Sequence, residues 1–250
     1  MGSTQAKLTE FVNRMKEIAA ANLESIILYG SAARGNFRPD HSDLNLLCVL
    51  DSLTVAELGR AAPVVKWWCT EQKEPLPLFF TAEELHLAAD VFSIEILDMK
   101  ASRRVLYGAD VIANIVVPMN LHRVQVERDL RTTVLKLRGH YFRAPGNAEE
   151  LARVLRKSFS GVLVLLRHTL IALGEEPPVE SRSVIARAAA LTRSKADAFD
   201  AALELQESGK FRGEINVLYG DYLKALEEVI RAMDQHMPKR KLQRVEDANS

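Results

Sequence analysis

The stretch from Ile26 to Leu50, IILYGSAARGNFRPDHSDLNLLCVL, gathers the residue types that handle phosphate and a divalent cation. Ser25–Tyr29 is a short apolar run ending at Gly30, the pattern of a buried strand delivered into a turn. A short helix starting at Ser31 would aim backbone N–H groups, a hydroxyl and the positive end of a dipole at one point, which suits a phosphate. Gly30 lacks the Cβ that would hold a phosphate off the backbone. Arg34, one turn on, adds a forked donor for the same anion. Eleven residues separate Ser31 from Asp43, which is read as opening the next strand, Leu44–Leu50, with Asn45 two positions on. Residues i and i+2 of a strand share a face, so Asp43 and Asn45 would point together at the phosphate turn while Leu44 and Leu46 face the core. Such oxygen donors suit a hard cation, and Mg²⁺ binds through one or two carboxylates plus substrate phosphates. Glu95 is the third acidic candidate. It lies between Ile94 and Ile96 in a segment read as a strand over Phe92–Leu97, where a carboxylate must be paired, metal-bound or solvent-facing. Asp98, at the end of that segment, is read as capping the next helix.

These residues need a scaffold, and the apolar periodicity supplies one. Leu8, Phe11, Val12, Met15, Ile18 and Ala19 recur at helical spacing, so residues 4–21 read as an amphipathic helix. Thr54–Gln72 reads as helical, with Pro63 expected to kink or split it. Leu76–Phe80 is a further strand. Strands alternating with helices predict an α/β or α+β sheet domain over about residues 1–115, with the domain boundary set at 117/118. Beyond Pro118 the strand signal disappears. Helices are expected over Asn120–Phe142, Ala148–Leu173, Ser181–Thr192, Lys195–Ser208 and Glu214–His236, forming an antiparallel helical bundle over residues 118–237. Residues 238–250, with the cluster Lys239-Arg240-Lys241, read as a polar, solvated tail. The fold class expected is α+β, a sheet domain followed by an all-α bundle.

Composition narrows the chemistry. Lys plus Arg and Asp plus Glu both total 33, a formal net charge of zero, which argues against clamping a long nucleic acid and leaves a small anionic substrate open. Cys48 and Cys69 sit among apolar residues and form no disulfide framework or zinc spacing. With no basic and apolar leader and no run near the roughly 20 residues that span a bilayer, a cytoplasmic, membrane-free protein is expected. Trp67-Trp68 is expected to put one ring inside and leave one partly exposed. His41 is read as shaping its loop, His140 as part of a solvated helix end, and Arg167-His168 as a satisfied core or interface pair.

The motif Tyr29-Gly30-Ser31, a spacer, Asp43-Leu44-Asn45 and a later carboxylate resembles the nucleotidyltransferase superfamily that includes DNA polymerase beta and the aminoglycoside nucleotidyltransferases. SIEILDMKASRRVLYG resembles the third-carboxylate strand and following helix of small bacterial members. SFSGVLVLLRHTLIALGEEPP resembles the bundle of kanamycin-nucleotidyltransferase-like proteins. The resemblance implies a mixed sheet with flanking helices for the first domain. It also implies that Gly30 and Ser31 hold the β- and γ-phosphates of a nucleoside triphosphate, that Asp43 and the residue at position 45 ligate one or two Mg²⁺ ions, and that Glu95 assists the metal or takes a proton. The implied reaction moves a nucleoside monophosphate to an acceptor hydroxyl, on a small molecule or protein, with release of pyrophosphate. Asn45 departs from the family pattern, which has Asp or Glu there. Asn keeps a carbonyl acceptor but loses the charge and the second carboxylate oxygen. The alternative is thus a catalytically impaired nucleotide-binding or regulatory module, of toxin–antitoxin type among other settings. The sequence leaves the acceptor, the base and the oligomeric state open, a homodimer included.

Overall fold

A computed structural model describes residues 2–34 and 43–235. The chain divides into two compact units, with the boundary at His122 and Arg123, a few residues past the 117/118 division expected from composition.

The first unit is built on four strands: β1 (Leu23–Tyr29), β2 (Asn45–Leu50), β3 (Leu78–Thr81) and β4 (Arg103–Gly108). Their order is β3-β2-β1-β4, with β1 antiparallel to both β2 and β4 and β2 parallel to β3. The sheet is mixed, as the family resemblance implies. Strands β1 and β2 are apolar on both faces because both are covered. Ile26, Leu28, Leu46, Cys48 and Leu50 pack with Leu8, Phe11 and Met15 of α1 (Gly2–Ala19) and with Trp68 of α2 (Val55–Thr70). Ile27, Leu47 and Val49 pack with Leu85 of α3 (Ala82–Leu87) and with Ile96 and Met99 of α4 (Ser93–Ala101). Burial raises the Cys48 thiol pKa well above its ordinary value, in keeping with a core role. At the end of β4, Gly108 has φ +74°, and a Cβ there would stand 1.8 Å from the Glu24 carbonyl oxygen, so only glycine fits.

Several expectations are corrected here. Phe92–Leu97 is not a strand: Ser93–Ala101 is helix α4, whose Ile96 and Met99 pack on the sheet while Ile94 is buried as well. Glu95 therefore stands on a helix, and Asp98 lies inside it rather than capping a later one. The order of SIEILDMKASRRVLYG is helix then strand, the reverse of the strand and following helix. Pro63 neither splits α2 nor divides its range. It lies on the exposed side, where the Gly59 carbonyl left without a backbone donor can meet water. Both rings of Trp67-Trp68 are buried. Trp68 donates from Nε1 to the Pro75 carbonyl at 3.1 Å, and Trp67 is covered by the Arg14 guanidinium, 4.1 Å from the ring centroid.

The second unit is helical: most of α5 (Met119–Arg143), then α6 (Ala148–Ala172), α7 (Ser181–Thr192), α8 (Ala196–Ser208) and α9 (Ile215–Gln235). The expected helices recur with ends shifted by at most one residue, and His236 with the 238–250 tail lies outside the described residues. Leu218, Tyr222, Leu226, Val229 and Met233 give α9 a buried stripe at helical spacing. Helix α5 lies along α9, tied by the Tyr219 hydroxyl donating to the Leu137 carbonyl at 2.7 Å and by an Arg138–Glu227 ion pair at 2.7 Å. In α6, His168 is fully buried and Arg167 donates to the carbonyls of Pro178 and Val179, so that pair serves packing.

Candidate functional site

Strand β1 ends at Tyr29, and Gly30 turns the chain with φ +79°, a left-handed conformation that favours glycine. Three hydrogen bonds fix that turn. The Gly30 N–H donates to the Ser102 carbonyl at 3.0 Å, the Ser102 hydroxyl donates to the Gly30 carbonyl at 2.8 Å, and the Ala33 N–H donates to the same carbonyl at 3.1 Å. Ser31–Arg34 then forms a single 3₁₀ turn instead of an α-helix. Such a turn carries little macrodipole, so what it offers an anion is local N–H groups. The side chains of Ser31 and Arg34 lie outside the described part of the structure, as do residues 35–42 with His41.

Asn45 starts β2 directly opposite Tyr29. Its side chain reaches back over the turn: a Cβ placed on Gly30 would stand 3.3 Å from the Asn45 amide nitrogen. Asp43 lies two residues before β2 rather than opening it, and is exposed. Its neighbour Leu44 is buried and donates its N–H to the Glu74 carboxylate at 3.1 Å, while Glu74 pairs with Lys7 at 3.0 Å. This buttress fixes the entry to β2. Asp43 and Asn45 thus flank one anchored residue in the chain, and Asn45 is the one whose side chain reaches the Gly30 turn.

Glu95 is exposed on α4, and its carboxylate is close enough to Tyr29 to act on it. Burial, and then the Glu95 charge, push the Tyr29 phenol above its ordinary pKa. The folded protein therefore holds this proton more tightly than the unfolded chain. The resulting stability is complete below about pH 10 and is lost as pH rises through the folded-state value. Replacing Glu95 by Gln should lower the pH at which Tyr29 ionises, read at 295 nm as the difference from a Tyr29→Phe control. An unchanged titration would mean that Glu95 does not face Tyr29.

Three functional neighbours were not visible as such in the sequence. Glu74 sits in the charged stretch EQKEP with no signal of a role, and Ser102 lies within SIEILDMKASRRVLYG without a signal of its own. Tyr29 reads as the end of a strand and the apolar position of the Tyr29-Gly30-Ser31 motif, with no role for its hydroxyl. Arg103, opposite Tyr29, is committed elsewhere, holding Asp110 at 2.9 Å and the Lys100 carbonyl at 2.6 Å. The basic group holds the Asp110 carboxyl below the usual range.

Residues 8–131 match a family model described as the nucleotidyltransferase domain. This segment is a nucleotidyltransferase domain. Among solved structures, the chain is similar to spectinomycin adenyltransferase AAD(9) from Enterococcus faecialis, a structure with ATP and spectinomycin. The identity is 15% and the TM-score 0.51, over 88% of this chain and 98% of that one. That likeness shows the fold, an α+β domain followed by helices. No curated protein sequence matches the chain.

Within the nucleotidyltransferase domain, the candidate donors are the Asn45 amide at the Gly30 turn, the exposed Asp43 carboxylate two residues before Asn45 in the chain, and the Glu95 carboxylate, which acts on Tyr29. All are hard oxygen donors. They fit Mg²⁺, which takes one or two carboxylates and completes its shell with water and substrate phosphates. Among the described residues no three His, Cys, Asp or Glu side chains group to hold a metal without such help. No helix among them is long and apolar enough to cross a membrane.

Proposed function

We propose that this chain moves a nucleoside monophosphate from a nucleoside triphosphate to an acceptor hydroxyl. The observation that carries the reading is the Gly30 turn, held by Ser102 and reached by the Asn45 amide, within a nucleotidyltransferase domain. Gly30 and Ser31 hold the β- and γ-phosphates, and Arg34 adds charge to the same anion. Asp43, Asn45 and Glu95 would hold Mg²⁺, which when bound supplies charge stabilisation at the transferring phosphate. Glu95 accepts the proton of the acceptor hydroxyl. The acceptor oxygen bonds to the α-phosphorus as the bond to the bridging oxygen breaks, and pyrophosphate leaves. ATP as donor and a small-molecule acceptor are favoured, since the similar adenyltransferase was solved with ATP and spectinomycin. Zero net charge weighs against a long nucleic acid as acceptor.

Asn45 favours a second reading, in which a nucleotide is held without turnover. Pyrophosphate release separates the two. The protein is incubated with each of four nucleoside triphosphates, Mg²⁺ and a panel of small polyols and aminocyclitols. Release above background that disappears with EDTA is expected for the transferase. Tight Mg²⁺-dependent nucleotide binding with no release from any acceptor would favour the holding module.

A further inference from the structure

In an antiparallel sheet, two residues of a hydrogen-bonded pair exchange both backbone N–H···O bonds. Gly30 and Ser102 stand one step beyond the Tyr29–Arg103 pair, where β1 and β4 would continue, and only half of that exchange is made by backbone. The Gly30 N–H donates to the Ser102 carbonyl at 3.0 Å. The Ser102 N–H cannot answer, because it donates to the Asp98 carbonyl at 3.1 Å as the C-terminal cap of α4. The Ser102 hydroxyl answers instead, donating to the Gly30 carbonyl at 2.8 Å. Ser102 is 5% exposed, so water does not compete freely for these bonds.

The consequence reaches the next N–H along the chain. A trans peptide is planar, with its C=O and N–H pointing to opposite sides. Holding the Gly30 carbonyl toward Ser102 therefore fixes the direction in which the Ser31 N–H points. The Ala33 N–H also holds that carbonyl, at 3.1 Å, and the Ser102 hydroxyl supplies the second bond that sets the plane of a glycine peptide at φ +79°. The same residue caps α4, the helix that carries Glu95.

We infer that Ser102 is a positioning residue of the nucleotide site: its hydroxyl orients the Gly30–Ser31 peptide so that the Ser31 N–H meets the triphosphate. This rests on the nucleotide reading proposed above. It assigns Ser102 no contact with substrate.

Ser102→Ala removes the hydroxyl, and Ser102→Thr keeps it. Both are compared with the unaltered chain by titration with Mg-ATP and with AMP, and by thermal unfolding without nucleotide. Ser102→Ala should weaken ATP about ten-fold, the worth of one hydrogen bond to a charged group, while AMP affinity changes less than about two-fold. Ser102→Thr should restore ATP binding. The Gly30 carbonyl keeps its bond from the Ala33 N–H in Ser102→Ala, so the fold persists. If the unaltered chain binds ATP and Ser102→Ala binds it equally well, the positioning role is wrong and the nucleotide reading stands. Equal weakening of ATP and AMP, tracking a lowered Tm, would make Ser102 a purely structural residue and also overturns the inference. If the unaltered chain binds no nucleotide, both readings fall.

Discussion

Asp43→Ala is expected to weaken Mg²⁺-dependent nucleotide binding by about 100-fold or more, as read by calorimetric titration, and to remove pyrophosphate release. Unit charges about 4 Å apart interact by roughly 4 kcal/mol at an effective dielectric near 20, and a carboxylate bonded to a divalent ion stands closer. Asp43 is exposed, so part of that is screened, and about 100-fold is what remains after the discount. The fold should not respond. Asp43 is exposed, and Leu44 beside it stays anchored by Glu74. A change in unfolding free energy beyond about 0.5 kcal/mol would be out of line with an exposed site. Unaltered Mg²⁺-dependent binding in Asp43→Ala would remove this residue from the metal site.

Asn45→Asp is expected to act in the opposite direction. The two side chains are nearly the same shape, and the Asn45 amide already reaches the Gly30 turn, so Asp needs no repacking. What changes is charge. A carboxylate at this half-buried position adds a charged oxygen ligand near Asp43 and restores the donor pair expected of two-ion chemistry. Mg²⁺ affinity in the presence of nucleotide should rise about ten-fold, and pyrophosphate release about 100-fold, within the range that a single charge-stabilising group supplies. Without Mg²⁺ the added charge is uncompensated, so Tm should fall relative to the unaltered chain and recover as Mg²⁺ is added. A substituted protein indifferent to Mg²⁺ in both Tm and turnover would mean that position 45 does not reach the ion.

The central strands could be read from the sequence because burial leaves an unambiguous mark. Leu23–Tyr29 and Asn45–Leu50 are apolar on both faces, and each has helices on both sides. The bundle was readable for the same reason, since α6 and α9 carry long apolar stripes at helical spacing. The segment around Glu95 was not. Ile94 and Ile96 alternate with polar neighbours as in a strand, yet the nine residues form helix α4, which packs Ile96 and Met99 on the sheet. Strand β4 was hidden because it is an edge strand whose residues are partly exposed, and RRVLYG shows no clean alternation. Tertiary pairing with β1, more than local preference, makes it a strand.

The same distinction applies to the site. Gly30 and Asp43 can be picked out because their residue types and local spacing suggest their chemistry. Ser102 and Glu74 act through partners 72 and 30 residues away, a separation that leaves no local periodicity. The Glu95 carboxylate could be named as a candidate, but its proximity to Tyr29 depends on how α4 lies across the sheet.

The most direct measurement is isothermal titration of the unaltered protein with ATP, GTP, CTP and UTP, each with Mg²⁺ and with EDTA. Saturable binding of at least one triphosphate that requires Mg²⁺ is the expected result, and it would place the ion and the phosphates in a working site. No binding of any triphosphate at millimolar concentration, with Mg²⁺ present, would contradict a nucleotide site at the Gly30 turn.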